Sequence, residues 1–202
     1  VIAAEDRSFY TNQGLDFKGI ARALRDNATT SGTSGGSTIT QQYVKVLYLT
    51  QDRTMSRKAK EAILSIKVHN QMSKEEILEG YLNTIYFGNG AYGIEAASQT
   101  YCGHKAAELT APQAAMLSSV INNPSAFDPY DESDRDRLMG RYTYVLDGMR
   151  KAGNITEEDY AKYVVKLPKV QKQRQSNRFG GTKGFLLRLT EQQLRKEGFS
   201  DS

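Results

Sequence analysis

Apolar residues recur at three- and four-residue spacing along most of this chain, a period that commits it to helices packed on one another. Phe17, Ile20, Ala21 and Leu24 follow Asp16, whose side chain suits a helix cap. Ala59, Ala62, Ile63, Ile66 and Asn70 form a second stripe behind Ser56 as cap, and Ile77, Leu78, Tyr81, Leu82 and Ile85 form a third. In "LTAPQAAMLSSVINNP", Thr110 and Gln113 have capping-box spacing, and Pro124 ends an alanine-rich segment that should be buried. Two more helices are expected, from Ser133 to about Ala152 with Gly153 as the stop, and from Thr156 to about Val165. Only the run from Tyr43 to Leu49 reads as a strand. No internal repeat is present, so the expectation is a mainly α fold with little β structure.

At 202 residues the chain can bury one sizeable core, with a tail left over. The tail begins where composition shifts to Lys, Gln, Arg and Gly between Lys166 and Lys183; a last amphipathic segment follows with Phe185, Leu186, Leu189 and Leu194. The division expected is therefore a catalytic-sized domain over 1–165 and a basic linker and helix over 166–202, leading toward a further domain. Val1-Ile2-Ala3-Ala4 starts inside a helix or strand with no Met or cap, so the sequence reads as a piece of a longer protein. The single cysteine, Cys102, rules out an internal disulfide and a cysteine metal site. His69 and His104 lack ligand spacing, no Ser-His-Asp or Cys-His set is recognisable, and no structural metal is expected. The net charge of +4 suits an anionic partner, but no helix-turn-helix, zinc-finger or RNA-binding motif accompanies it, so nucleic acid is not expected. No apolar run approaches the roughly 20 residues that span a bilayer.

Three constellations carry chemistry. Glu5 follows an apolar run and precedes Phe9 and Tyr10, which as an apolar wall would keep water from its carboxylate and raise its pKa toward that of a general base. By itself the pair Glu5-Asp6 is read more simply as a helix end in water. Glu61 stands four residues after Arg57 and beside Lys58 and Lys60; it is either one end of a surface ion pair or a second, ionised carboxylate of the sort that works at sugar anomeric centres. Lys45, Arg53, Arg57, Lys58 and Lys60 crowd a short span with Tyr43 and Tyr48, suiting a phosphate or pyrophosphate. The loop "GGSTITQQ" adds Gly36, Ser37, Gln41 and Gln42 as hydrogen-bonding groups for a polyhydroxylated ligand. It lacks the Lys-Ser/Thr ending of a nucleotide P-loop.

In this order, "EDRSFYTNQGLD", "GGSTITQQYVK", "RKAKE" and "KEEILEGYLNTIYFGNGAYGIEAAS" resemble the glycosyltransferase family 51 domain of class A penicillin-binding proteins and monofunctional peptidoglycan transglycosylases. The resemblance covers Val1 to about Val165. It implies a lysozyme-like helical domain with a central cleft that polymerises lipid II at the outer face of the bacterial cytoplasmic membrane. The product is a β-1,4 glycan made with inversion, and undecaprenyl pyrophosphate leaves. By motif, Glu5 would be the general base, Glu61 would assist the donor side, and Asp6 would support Glu5. Lys45 and Arg53, with Arg57 and Lys60, would offset the pyrophosphate. Gly36, Ser37, Gln41, Gln42 and Tyr86 would line the sugar and phosphate positions, and Glu79 and Asn83 would hold the helices around the cleft. The implied partners are lipid II, the growing lipid-linked strand, the membrane surface and a moenomycin-type inhibitor. No cofactor is required, and a divalent metal, magnesium or manganese, has a place at the pyrophosphate.

One position departs from the family pattern: Asn12 stands where the first segment usually has His, and an asparagine does not titrate near neutral pH. The stretch from Ile20 to Thr33, membrane-facing in the family, holds few large apolar residues beyond Leu24. Two other readings fit parts of the pattern. A lysozyme-type hydrolase would also use two carboxylates but has no need of the basic cluster, and a silent binding module would dock on the cell wall or an anionic membrane.

Overall fold

A computed structural model of the chain describes residues 1–17, 19, 21, 36–48, 54–171, 189, 190 and 193. Its elements are α1 (Ile2–Glu5), α2 (Ile39–Tyr48), α3 (Met55–Gln71), α4 (Lys74–Thr84), α5 (Ile94–Tyr101), α6 (Ala111–Val120), α7 (Arg135–Lys151) and α8 (Glu157–Tyr163). Two short 3-10 turns precede α6 and α7. Among the described residues the only β pairing is a single antiparallel bridge between Tyr86 and Tyr92. The mainly α expectation therefore holds.

Helices whose caps lie in local sequence form where the pattern places them. Ser73 and Glu76 close a capping box at α4, Thr110 and Gln113 close another at α6, and the Thr156 hydroxyl accepts from the Asp159 amide at 3.0 Å to start α8. Asp16 accepts from the Gly19 amide at 2.9 Å, as a cap should; Ile20 and Leu24 of that pattern lie outside the described residues.

The expected strand at Tyr43 to Leu49 is instead helix α2, with Leu49 outside the described residues. A second T-x-x-Q box overrides the β-branched run: the Gln41 amide donates to Thr38 Oγ1 at 3.1 Å and the Thr38 amide donates to Gln41 Oε1 at 3.0 Å. The Asp6 carboxylate adds a charge at the positive end of the helix, accepting from the Ile39 amide at 3.1 Å.

Helix α3 is also corrected. Its cap is Thr54, which accepts from the Arg57 amide at 3.2 Å, and Ser56 is the second residue of the helix. Its buried residues are Glu61 and Ser65, whereas Ile63 and Ile66 of the apolar stripe stay 58% and 42% exposed. The polar face is the inner one because its groups find partners there, as described below.

Helix α2 packs against α3 and α4, α6 packs against α7, and α1 lies on α7. One core joins them, with Phe9, Ile77, Tyr81, Tyr101, Met116 and Tyr142 all fully buried. The expected linker does not leave this body at Lys166. Leu167 and Val170 pack against the core, and the Gln171 amide donates to the Tyr101 carbonyl at 2.9 Å. Of the expected terminal helix, Leu189 is helical; Phe185, Leu186 and Leu194 lie outside the described residues.

Candidate active site

A cleft of about 950 Å³ opens between α1, α2 and α3 on one side and the end of α6 and the middle of α7 on the other. Glu5, Asp6, Gly36, Ser37, Gln41, Gln42, Lys45, Arg57 and Glu61 all line it. Residues distant in sequence thus share one wall.

Glu5 spans the two walls. Its side chain is only 7% exposed; Oε1 accepts from Arg141 Nη2 on α7 at 2.7 Å, and Oε2 accepts from Gln42 Nε2 on α2 at 3.1 Å. The Gln42 amide is turned this way by Tyr81, whose hydroxyl donates to Gln42 Oε1 at 3.0 Å. Burial, and then the nearby Glu5 charge, raise the Tyr81 phenol far above its usual range, so it keeps the proton it donates. The apolar wall expected from Phe9 and Tyr10 is absent. Phe9 sits in the core under the Lys74 ammonium, 4.8 Å from its ring, and Tyr10 is 58% exposed to solvent. A carboxylate withdrawn this far from water needs paired donors more than apolar neighbours, and Arg141 and Gln42 supply them.

Asp6 is buried beneath Glu5 and links three segments. It accepts from Ser8 Oγ at 2.9 Å, from Asn12 Nδ2 at 3.1 and 3.0 Å, and from the Ile39 amide. Asn12 in turn accepts from Lys74 Nζ at 3.1 Å and from the Gly14 amide at 3.0 Å. An amide at this position therefore serves as a two-way connector, donating on one side and accepting on the other, without any change of charge.

Glu61, 3% exposed in its side chain, is no surface ion pair. Arg57 Nη1 donates to Oε2 at 2.7 Å, Gln41 Nε2 donates to Oε1 at 3.2 Å, and Lys58 forms a close ion pair with Oε1. Lys58 also donates to Ser37 Oγ at 3.0 Å. Adjacent glutamines on one turn of α2 thus hold the two carboxylates, Gln42 on Glu5 and Gln41 on Glu61.

Two expected residues fall elsewhere. Lys60 is exposed on the outer face of α3, two positions past the inward-facing Lys58, and does not line the cleft. Tyr86 stacks on Tyr92, ring centroids 4.6 Å apart, in the turn after α4, because the bridge that closes this turn ties it there. Glu79 and Asn83 are exposed on α4. Arg53 lies outside the described residues. Pattern reading missed Arg141 and Tyr81, and named Lys58 only as one of the basic cluster. Arg141 had a signal: it is a charge set between Leu138 and Val145 at i+3 and i−4 on an otherwise apolar stripe. Among the described residues no group of three or more His, Cys, Asp or Glu is placed to hold a metal ion.

The sequence profile of the family described as Transglycosylase matches residues 1–150. The chain belongs to the transglycosylase family. Every residue lining the cleft, from Ala4 to Tyr144, lies within the matched span. Penicillin-binding protein 1A of Mycobacterium tuberculosis is 43% identical over 168 residues, which cover 81% of this chain and 20% of that protein. Penicillin-binding protein 2D of Bacillus subtilis is 50% identical over 130 residues, 64% of this chain and 19% of that protein. A crystal structure of Penicillin-Binding Protein 1A from Haemophilus influenzae aligns over 79% of this chain and 20% of that one, with 22% identity and a TM-score of 0.44. The chain thus spans about a fifth of the length of the curated relatives it matches.

Within the transglycosylase domain the Tyr81–Gln42–Glu5 chain is open to a direct test. Tyr81→Phe keeps the buried ring and frees the Gln42 amide to turn, so the Glu5 carboxylate loses a fixed donor. The turnover number should fall by about tenfold, the equivalent of one hydrogen bond, with unfolding shifted by about 1 kcal/mol. Turnover by Tyr81→Phe equal to that of the parent would show that Gln42 needs no such anchor.

Proposed function

We propose that this chain polymerises lipid II into β-1,4-linked glycan strands, with inversion at the anomeric carbon and release of undecaprenyl pyrophosphate. The reading is carried by one observation: two buried carboxylates share a cleft, and the one on α3 sits among cations that can also meet an anionic leaving group. Glu5 is the base. The acceptor hydroxyl oxygen attacks the donor C1, its proton passes to a Glu5 oxygen, and the bond from C1 to the pyrophosphate oxygen breaks with its electron pair leaving on the phosphate. Glu61 stabilises positive charge building on the donor sugar. Lys45 makes no ion pair among the described residues and, with Arg57 and Lys58, offsets the departing charge. Arg53 belongs to the same cationic group by motif, and a magnesium or manganese ion would join it on the pyrophosphate oxygens. Gly36, Ser37, Gln41 and Gln42 contact sugar and phosphate, and Asp6 with Asn12 holds Glu5 and the start of α2 in register.

Among the described residues no helix is long and apolar enough to cross a membrane. Contact with the outer face of the cytoplasmic membrane is instead assigned to the end of α2 and the outer face of α3. There Leu47, Tyr48, Met55, Ile63 and Ile66 are exposed beside Lys60 and Lys67. Apolar side chains interleaved with lysines suit an interface of acyl chains and anionic headgroups.

The deciding experiment offers purified lipid II and polymeric glycan in separate reactions. Elongation of lipid II, blocked by a moenomycin-type inhibitor, is the expected result. Release of sugars from the polymer with no elongation would make the chain a hydrolase and overturn the reading.

A further inference from the structure

The cleft has a second cationic end that the assignments above leave unused. Arg7, just after α1, donates from Nε to the Ala3 carbonyl at 3.2 Å, and its guanidinium carbon lies over the Tyr144 ring, 5.3 Å from the centroid. The guanidinium of Arg141 lies over the same ring at 4.8 Å. Tyr144 is 45% exposed, and all three residues line the cleft. Arg141 is committed to Glu5, but Arg7 is exposed and makes no ion pair among the described residues. Its position is built in: α1 crosses α7 at Gly148, where an added Cβ would stand 2.8 Å from the Ala3 carbonyl oxygen and 3.3 Å from Arg7 Nη2.

We infer that Arg7 and Tyr144, steadied by Arg141, form the subsite for the acceptor, a lipid-linked sugar that itself carries a pyrophosphate. The inference rests on the glycosyl-transfer reading and extends it. In that reaction both reactants carry a pyrophosphate, so the cleft needs a cationic position on each side of the base. Glu5 marks the divide, because one of its oxygens is held from α2 and the other from α7. The α2–α3 side, with Glu61 and Lys45, takes the donor. The α7 side is left for the molecule whose hydroxyl is deprotonated. A guanidinium beside an exposed tyrosine ring matches that ligand, the ring covering a sugar face and the cation meeting an oxyanion. A hydrolase acting on polymeric glycan would have no pyrophosphate to place against that cation.

The test measures initial rates of elongation against lipid II concentration, with a preformed lipid-linked glycan held saturating as donor. Arg7→Ala should raise the half-saturating lipid II concentration about tenfold, the loss of one charged contact, and Tyr144→Ala about fivefold. Turnover at saturation should change by less than about threefold, and Arg7→Lys and Tyr144→Phe should recover much of the loss. Affinity for a donor-mimicking moenomycin-type inhibitor should stay within about twofold, which also shows that the variants are folded. Unchanged lipid II saturation in an active Tyr144→Ala chain overturns the subsite, as does a parallel loss of inhibitor affinity in both variants. If the unaltered chain fails to elongate lipid II at all, the glycosyl-transfer reading itself falls, and the subsite with it.

Discussion

Replacing Glu5 with glutamine should lower lipid II polymerisation by about 10² to 10⁴-fold, the range that one general base supplies. The substitution keeps volume, so the cleft stays open, but it changes every contact the side chain makes. A glutamine oxygen can still accept from Arg141 Nη2, which stands 2.7 Å from Glu5 Oε1. The new Nε2 group then faces the Gln42 Nε2 that now donates to Oε2 at 3.1 Å, two donors in opposition. Relief requires the Gln42 amide to turn, after which the Tyr81 hydroxyl must accept from Gln42 Nε2 where it now donates to Oε1. Some stability should be lost, because Arg141 keeps its charge while its counter-ion is gone; with its side chain 18% exposed, solvent reduces that penalty to about 1–2 kcal/mol. Binding of a moenomycin-type inhibitor should persist, because the donor-side cations are untouched. Single-turnover assays with labelled lipid II separate these effects. Polymerisation at the parental rate would remove Glu5 from the role of base.

Gly14→Ala should cost about 2–5 kcal/mol of stability. Gly14 has φ +85, and a Cβ there would stand 2.6 Å from the Ser65 carbonyl oxygen and 3.0 Å from its carbon. The left-handed conformation alone costs an alanine about 1–2 kcal/mol, and pushing a buried turn of α3 aside adds roughly 1–3 kcal/mol. Gly153→Ala is the matched control: φ is +72, but nothing lies within 4 Å of the added carbon, so only the backbone penalty of about 1–2 kcal/mol applies. Urea unfolding of the two variants should therefore give clearly different midpoints. Activity should fall with Gly14→Ala as well, because the Gly14 carbonyl accepts from Thr38 Oγ1 at 2.7 Å and Thr38 caps the helix that carries Gln41 and Gln42. Equal midpoints for the two variants would show that α3 yields at Ser65 without strain.

Elements whose stabilising partners lie within a few residues were legible in the chain. The Ser73–Glu76 and Thr110–Gln113 boxes belong to this class, as does the Thr156 cap. The α2 cap was of the same local type, T-x-x-Q, yet the run of valines and tyrosines behind it pointed to a strand. The added weight on the helical side came from Asp6, 33 residues away. For the site, the motif resemblance named Glu5, Glu61, Gln41, Gln42 and Lys45 together, and the fold puts them in one cleft. It also named Lys60 and Tyr86, which the same fold turns away. Periodicity could not separate Lys58 from Lys60, since two positions on a helix differ by about 200° and only the neighbouring helix says which one faces in.

By itself, then, the sequence determined the helical class, most element boundaries and the chemistry available at each position, because period, caps and side-chain types are local properties. Only the tertiary structure decided which face of α3 is buried, and it chose the charged face over the Ala59–Ile63–Ile66 stripe because Gln41, Arg57 and Lys58 satisfy Glu61 there. Only the tertiary structure could bring Arg141 across 136 residues to Glu5 and replace the expected apolar wall with an ion pair. A carboxylate's surroundings are set by what packs against it, and those contacts are not written in the residues beside it.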